Sequence, residues 1–450
     1  MRQDLVRPPL EFLPPRPNPL VIGLADLLLP LWVRYKCRIR KMTTVNADKL
    51  VAIAQAFWQQ QARLIFAFRH PTIDDQYALL HLFGRVLPQT ASQMGVKLDR
   101  PLRPYFAYDR GIPLWAGEFI TWLYPRMGGI SVYRSKADRT SLQFIRQTLR
   151  DGLQPLAIAP EGGTNGCSEE IRKLEPGVAQ LGFWCVEDLV KANRWEQVWI
   201  VPLGFQYLYV NLGWEKLDHF LLQLEQDCGI VKPLPRSAEE RYRRLYELGN
   251  YMIDYVSHHY QKFYPLPLPA ALQSDQLQTR LHALLDHILT IAEYHFGLSP
   301  KGDYIDRCRR LEQLVWEQVF RGDIKDVNAL SPFAKGFANQ LAQEALNSEW
   351  HMRLAESIVH ISGEYVVAHP SPTRFAETLL LVWRVIDRVK GNPYGRPPYL
   401  GLRDCRISIG EILNVNDRYG SYKQNRPTAV QELTEELQKE MQKLIVPSPL

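Results

Sequence analysis

Of the eleven histidines in this 450-residue chain, only His70 has an aspartate five positions on, Asp75. The apolar run Phe66-Ala67-Phe68 just before it reads as a strand that ends at the histidine. If a turn and the first residues of a helix separate the two, Asp75 folds back onto the ring. A carboxylate accepting from one ring nitrogen fixes the tautomer, and the other nitrogen is then free to take a proton from a hydroxyl. Such a pair needs no protein nucleophile, because the deprotonated substrate alcohol attacks. Taken alone, His-x4-Asp is a short motif that chance also supplies.

Three further segments have the same form, a short apolar run ending in residues of chemical use. Ile158-Ala159-Pro160 leads into Glu161-Gly162-Gly163-Thr164, a turn that exposes backbone N–H groups and lets a ligand approach closely. Gly128-Gly129-Ile130-Ser131-Val132-Tyr133 delivers Arg134, whose guanidinium suits a phosphate. Val198-Trp199-Ile200-Val201 ends at Pro202, where a proline stops a ladder and shapes a pocket wall. Each alone is equally a plain loop, a rim arginine or a strand end.

The order of the four, His-x4-Asp, strand-Arg, strand-Pro-Glu-Gly and strand-Val-Pro, resembles the glycerophospholipid acyltransferase family, which includes the 1-acylglycerol-3-phosphate acyltransferases. The matched stretch runs from about 46 to 206, and Ile407-Ser408-Ile409-Gly410-Glu411 with the helix after it looks like the end of that family's domain. The resemblance implies that His70 is the general base and that Asp75 orients it. Arg134 would hold the acceptor's phosphate or headgroup. Glu161 and Gly162, continued by Gly163 and Thr164, would form the acceptor-side loop, and Pro202 would stand beside the acyl pocket. N–H groups near the Gly162–Gly163 turn are candidates for stabilising a tetrahedral oxyanion. The donor would be acyl-carrier-protein-bound or coenzyme-A-bound acyl thioester, used as a co-substrate, with no resident cofactor and no metal. Three positions depart from the family pattern. Thr72 stands two after the histidine, Arg69 just before it is a charge that could bind an anion, and no arginine follows Glu161-Gly162-Gly163-Thr164. The acceptor is therefore a lipid hydroxyl not limited to 1-acylglycerol 3-phosphate. Two other readings stay open: an α/β thioester hydrolase, which would want a G-x-S-x-G nucleophile that the chain lacks, and a vestigial fold serving as a helical, membrane-associated adaptor.

The elements that must position these residues alternate between about 46 and 210. Helical patterns at 47–61, 77–86, 114–124, 140–149 and 178–191 alternate with strand-like runs at 64–68, 105–108, 130–133, 155–159 and 198–201. This is an α/β fold, a mixed sheet covered by helices. From 211 to 395 long helical patterns dominate, at 238–261, 275–296, 304–320, 333–367 and 373–389. A strand at 406–410 and a helix at 427–444 close the chain. A lone strand must find a sheet, so the tail is expected to return to the first half and 211–395 to be a large all-helical insertion. The divisions are 1–45, an interfacial or packing segment; 46–210, the acyltransferase core; 211–395, the insertion; and 396–450, the returning strand and last helix.

Net charge is +6 and the pI about 8.9, which favours an anionic partner such as a lipid surface or an acidic carrier protein. No nucleic-acid motif is present. Six scattered cysteines fit a reducing cytoplasm. No signal peptide is evident. The apolar run from Leu20 to Val33 is short for a span and is interrupted by Asp26 and Pro30. With Arg34, Lys36, Arg38, Arg40 and Lys41 behind it, the run reads as a helix lying on the inner face of an anionic membrane, a peripheral cytoplasmic placement.

Overall fold

The structure is a computed structural model that describes residues 5–112, 116–133, 138–393 and 395–449. Arg134 lies outside the described residues.

The strands are β1 (Ile39–Val45), β2 (Ala62–Phe68), β3 (Tyr105–Asp109), β4 (Gly129–Val132), β5 (Leu156–Ile158), β6 (Gln197–Tyr209), β7 (Arg403–Ile409) and β8 (Leu413–Asn414). They form one sheet in the order β1-β7-β6-β2-β5-β3-β4, with β8 also on β6. Pairing is parallel throughout, except that β7 and β8 run antiparallel to β6. The fold is thus α/β with a mixed, mostly parallel sheet.

β2 is buried along its whole length, and it shows why the sheet must be covered twice. Leu64, Phe66 and Phe68 face one way, onto Leu50 and Phe57 of α2 (Ala47–Trp58) and onto Leu82 and Phe83. Ile65 and Ala67 face the other way, toward a second layer of core that includes Ile145, Val178, Phe183 and Leu433. Successive side chains of a strand point to opposite faces. A parallel strand with helices on both sides therefore reads as an unbroken apolar run.

The strand expected at 406–410 is found as Arg403–Ile409, inserted between β1 and β6. Residues 210–402 add no strand to the sheet among the described residues. They fold as helices packed on apolar clusters, among them one around Leu284, Ile288 and Met352, one around Phe220, Phe375 and Leu379, and one around Val315, Ala342 and Ala345. Three of these helices matter for the site: residues Tyr304–Val319, Pro332–Ile358 and Pro372–Val389. The single helix expected over 333–367 is two. It stops at Ile358, and Ser362 caps a new helix at Gly363–Ala368 by accepting from the Glu364 N–H. A helix at Trp214–Asp227 has no counterpart in the sequence reading.

The run at 20–33 is helix α1 (Pro19–Tyr35), capped by Asn18, whose side chain accepts from the Leu20 and Val21 N–H groups. Only Leu29 and Val33 are buried, while Leu20, Leu24, Leu27, Leu31, Trp32 and Tyr35 are exposed. Asp26, the charge that interrupts the run, pairs with Arg103 of the body. No described helix is long and apolar enough to cross a membrane.

Candidate functional site

β2 ends at Phe68, and α3 (Asp75–His81) begins seven residues on. The turn between them is closed by two side-chain hydrogen bonds. The Thr72 hydroxyl accepts from the Asp74 N–H at 3.0 Å, and Asp75 Oδ2 accepts from the Thr72 N–H at 3.1 Å. That fold-back carries Asp75 Oδ2 to 2.9 Å from His70 Nδ1. Asp75 is fully buried, while the His70 side chain keeps 28% of its exposure. An ionised carboxylate can only accept, so Nδ1 carries the ring proton and Nε2 is the basic nitrogen. Nε2 has no partner among the described residues. Burial pushes the Asp75 carboxyl up; His70 and the Thr72 N–H pull it back. Its second oxygen, Oδ1, and the buried Tyr207 hydroxyl make no hydrogen bond of ordinary geometry.

The turn is held from two directions. Asp74 pairs with Arg403 of the returning β7 at 2.5 Å, and Arg403 also donates to the Cys37 carbonyl at 3.0 Å. The His70 N–H donates to Glu161 Oε1 at 2.8 Å, and Glu161 Oε2 accepts from Asn165 Nδ2 at 2.9 Å. Both oxygens of Glu161 are thus engaged by the protein. Burial raises its carboxyl, and the charge of Arg69 opposes that.

Arg69 shows no exposure, and its guanidinium donates to the carbonyls of Ser168 (2.6 Å), Cys167 (3.1 Å) and Glu170 (2.6 Å). The expectation that Arg69 could bind an anion is corrected. Its side chain is consumed in fixing the backbone of the loop after β5.

That loop carries Gly162 at φ +69°, a left-handed conformation that glycine accepts freely. A Cβ there would meet the Glu175 carboxylate. The Gly162 carbonyl accepts from Arg309 of the 304–319 helix at 3.0 Å. The Gly163 and Thr164 N–H groups donate to nothing among the described residues.

His70, Glu161, Gly162, Gly163 and Thr164 all line one cavity of about 2110 Å³. Its walls are largely apolar: Leu28 and Trp32 of α1, Phe68, Phe83, Phe106 and Leu123, then Leu289, Val315 and Trp316 from the helical part. Such a volume exceeds the ordinary range for small-molecule pockets, about 300–1,000 Å³.

Pro202 is not on that wall, and two expectations about it are corrected. It does not close its strand, because β6 continues to Tyr209. Its backbone faces the outer edge of β6, where the carbonyl accepts from the Gly410 N–H at 2.8 Å. On that edge the partner changes from β8, opposite Trp199 and Ile200, to β7, opposite Leu203 onward. A missing N–H is harmless at such a switch.

Sequence reasoning missed Arg309, Arg403 and Tyr207. All three come from elements distant in sequence, and none sits in a motif. Among the described residues no group of three or more His, Cys, Asp or Glu side chains could hold a metal ion. No protein-family model matches the chain, and no match to a curated protein or to a solved structure was found.

Proposed function

We propose that the chain is an O-acyltransferase of the glycerolipid type, moving a fatty acyl group from a thioester to a lipid hydroxyl. The observation that carries the reading is His70. Its Nδ1 is seated on a buried carboxylate, and its ring opens onto a large, mostly apolar cavity. In this reading Nε2 takes the proton of the incoming alcohol, and the oxygen attacks the thioester carbonyl. The tetrahedral oxyanion is met by the Gly163 and Thr164 N–H groups. Collapse expels the thiolate, which recovers the proton from His70, leaving an ester and a free thiol. Asp75 steadies the imidazolium between the two steps.

The sheet would then be the acyltransferase fold, and residues 211–395 its insertion. A thiol nucleophile is disfavoured: burial pushes Cys185 and Cys308 up to about 12 and raises Cys37, Cys167 and Cys405 as well. The exposed leucines of α1 and the basic residues after it suit a peripheral seat on an anionic membrane. Adding liposomes with and without anionic lipid checks that seat, and equal flotation with both would remove the electrostatic part.

The test of the activity is a panel of lipid alcohols offered with acyl-carrier-protein and coenzyme A thioesters, with products read by mass spectrometry. Wild type should form one class of ester, and His70→Ala should form none while keeping its melting temperature. Ester formation by His70→Ala at the wild-type rate refutes the reading. Thioester cleavage without any acceptor would favour the hydrolase instead.

A further inference from the structure

We propose that Arg384, Arg172 and His360, which line the same cavity as His70, form a binding site for a phosphate ester. What that ester belongs to rests on the acyltransferase reading; the binding itself does not.

Arg384 projects from the 372–389 helix into the cavity. It makes no hydrogen bond or ion pair among the described residues. Arg384 is half-buried with its guanidinium open to the cavity, and an anion is its natural complement there. Arg172 reaches the same place from the loop after β5. Its Nη1 donates to the Val359 carbonyl at 3.0 Å, but its buried Nε has no acceptor. His360 follows Val359 and also lines the cavity, with a buried Nδ1 that has no partner. Burial, then the charges of Arg172 and Arg384, push its pKa down to about 3, so the ring is neutral and can donate one N–H. The carboxylate that acts on this group is Glu356, and it is engaged by Arg353 at 2.9 Å. Two guanidinium groups thus reach one largely apolar cavity, where phosphate oxygens would complement their charge.

The site is wired to the His70 turn. Leu381, one helical turn before Arg384, touches Gly166, where a Cβ would come within 2.8 Å of its Cδ2. The Gly166 N–H donates to the carbonyl of Pro71, the residue after His70, at 3.0 Å. Arg384 and His70 line the same cavity, so on the acyltransferase reading a phosphate held by Arg384 would belong to a molecule that also passes His70. It has two possible sources, an acceptor lipid with a phosphate headgroup or the phosphates of coenzyme A.

The test is equilibrium binding to the full-length protein, followed by calorimetry. Four probes form two pairs: a 1-acylglycerol 3-phosphate against the matching monoacylglycerol, and coenzyme A against pantetheine. Arg384→Gln, whose native side chain has no protein partner to lose, should keep its melting temperature. It should weaken one phosphate-bearing probe by about tenfold or more, the loss of one charge-assisted contact, and leave its phosphate-free counterpart unchanged. Arg384→Lys should fall between, because it keeps the charge and loses the fork. The pair that responds names the source. Unchanged affinity for both phosphate probes overturns the proposal. So does an equal loss for the neutral counterparts, or wild-type protein that binds neither phosphate probe. The site and the acyltransferase reading fail separately. A phosphate-selective loss with no ester formed on any alcohol keeps the site and removes the reading. His70-dependent transfer with no phosphate-selective loss does the reverse.

Discussion

Asp75→Asn should separate activity from stability. Asp75 Oδ2 serves two donors, His70 Nδ1 and the Thr72 N–H. An asparagine of the same shape can still accept one hydrogen bond, but it brings no charge and offers an NH₂ that can force the ring into the other tautomer. Losing one charge-assisted bond costs about 1.5–3 kcal/mol, about 10–150-fold in rate if it is felt only in the transition state. Lost stabilisation of the imidazolium adds to this, within the total of about 10²–10⁴ that a positioned base contributes. A fall in kcat/KM of about 10²–10³-fold is expected, read as thiol released from the thioester donor. Stability should move differently. Burial raises the carboxyl in the folded state, so its contribution is fully present at pH below the unfolded value. It is lost as pH rises through the raised folded value. Ionised Asp75 is thus a burden at neutral pH, and the neutral amide should hold stability within about 1 kcal/mol of wild type or improve it. Two results would refute this reasoning: transfer within threefold of wild type, or an activity loss that simply follows a lower melting temperature.

Gly162→Ala should cost about 1–3 kcal/mol, because φ +69° disfavours a side chain. Denaturant unfolding measures this, and the mutant should lose transfer activity disproportionately to its stability, since the same turn presents the Gly163 N–H. Glu377 is buried, and burial raises its carboxyl from 4.5 to about 7, against the pull of the Tyr365 hydroxyl and the Ser168 N–H. Its contribution is present below about pH 4.5 and is lost as pH rises through about 7, at most about 3 kcal/mol. The melting temperature should fall across that window in wild type and fall less in Glu377→Gln; parallel curves would exclude Glu377 as the source.

The dyad was legible in the sequence because its chemistry is local. His70, Thr72 and Asp75 lie within six residues, and the same fold-back that pairs them closes the turn before the helix. The tail strand was legible for a different reason: an isolated strand has unpaired backbone groups and must find a sheet. What stayed hidden depends on distant partners. Arg69 and Arg134 read alike as arginines near a strand end. Only the packing of the loop 161–175 against β2 shows Arg69 sealed on three carbonyls. Pro202 misled because a proline usually marks a strand end, whereas here it marks the point where the outer neighbour of β6 changes. The break at 359–362 was missed although Ser362-Gly363, the cap and first residue of the new helix, marks it in the sequence.

The loop after β5 links these observations. Its backbone is gripped by Arg69 from within the sheet, and most of its remaining anchors come from far along the chain. Arg309 holds the Gly162 carbonyl, Glu377 accepts from the Ser168 N–H, and Arg374 pairs with Glu169. The tail adds the Ser448 N–H on Glu169 and Gln438 on the Leu174 N–H. A long loop ordered by local contacts alone would leave its N–H groups to water, since loops are the mobile parts of α/β proteins. Here the helices after 300 and the returning tail hold the loop, while the Gly163 and Thr164 N–H groups stay without a partner among the described residues, beside the cavity. The helical segment is therefore part of the apparatus that orders the site. Its arginines face the same cavity for the same reason: helices close enough to clamp the loop are close enough to meet whatever the loop binds.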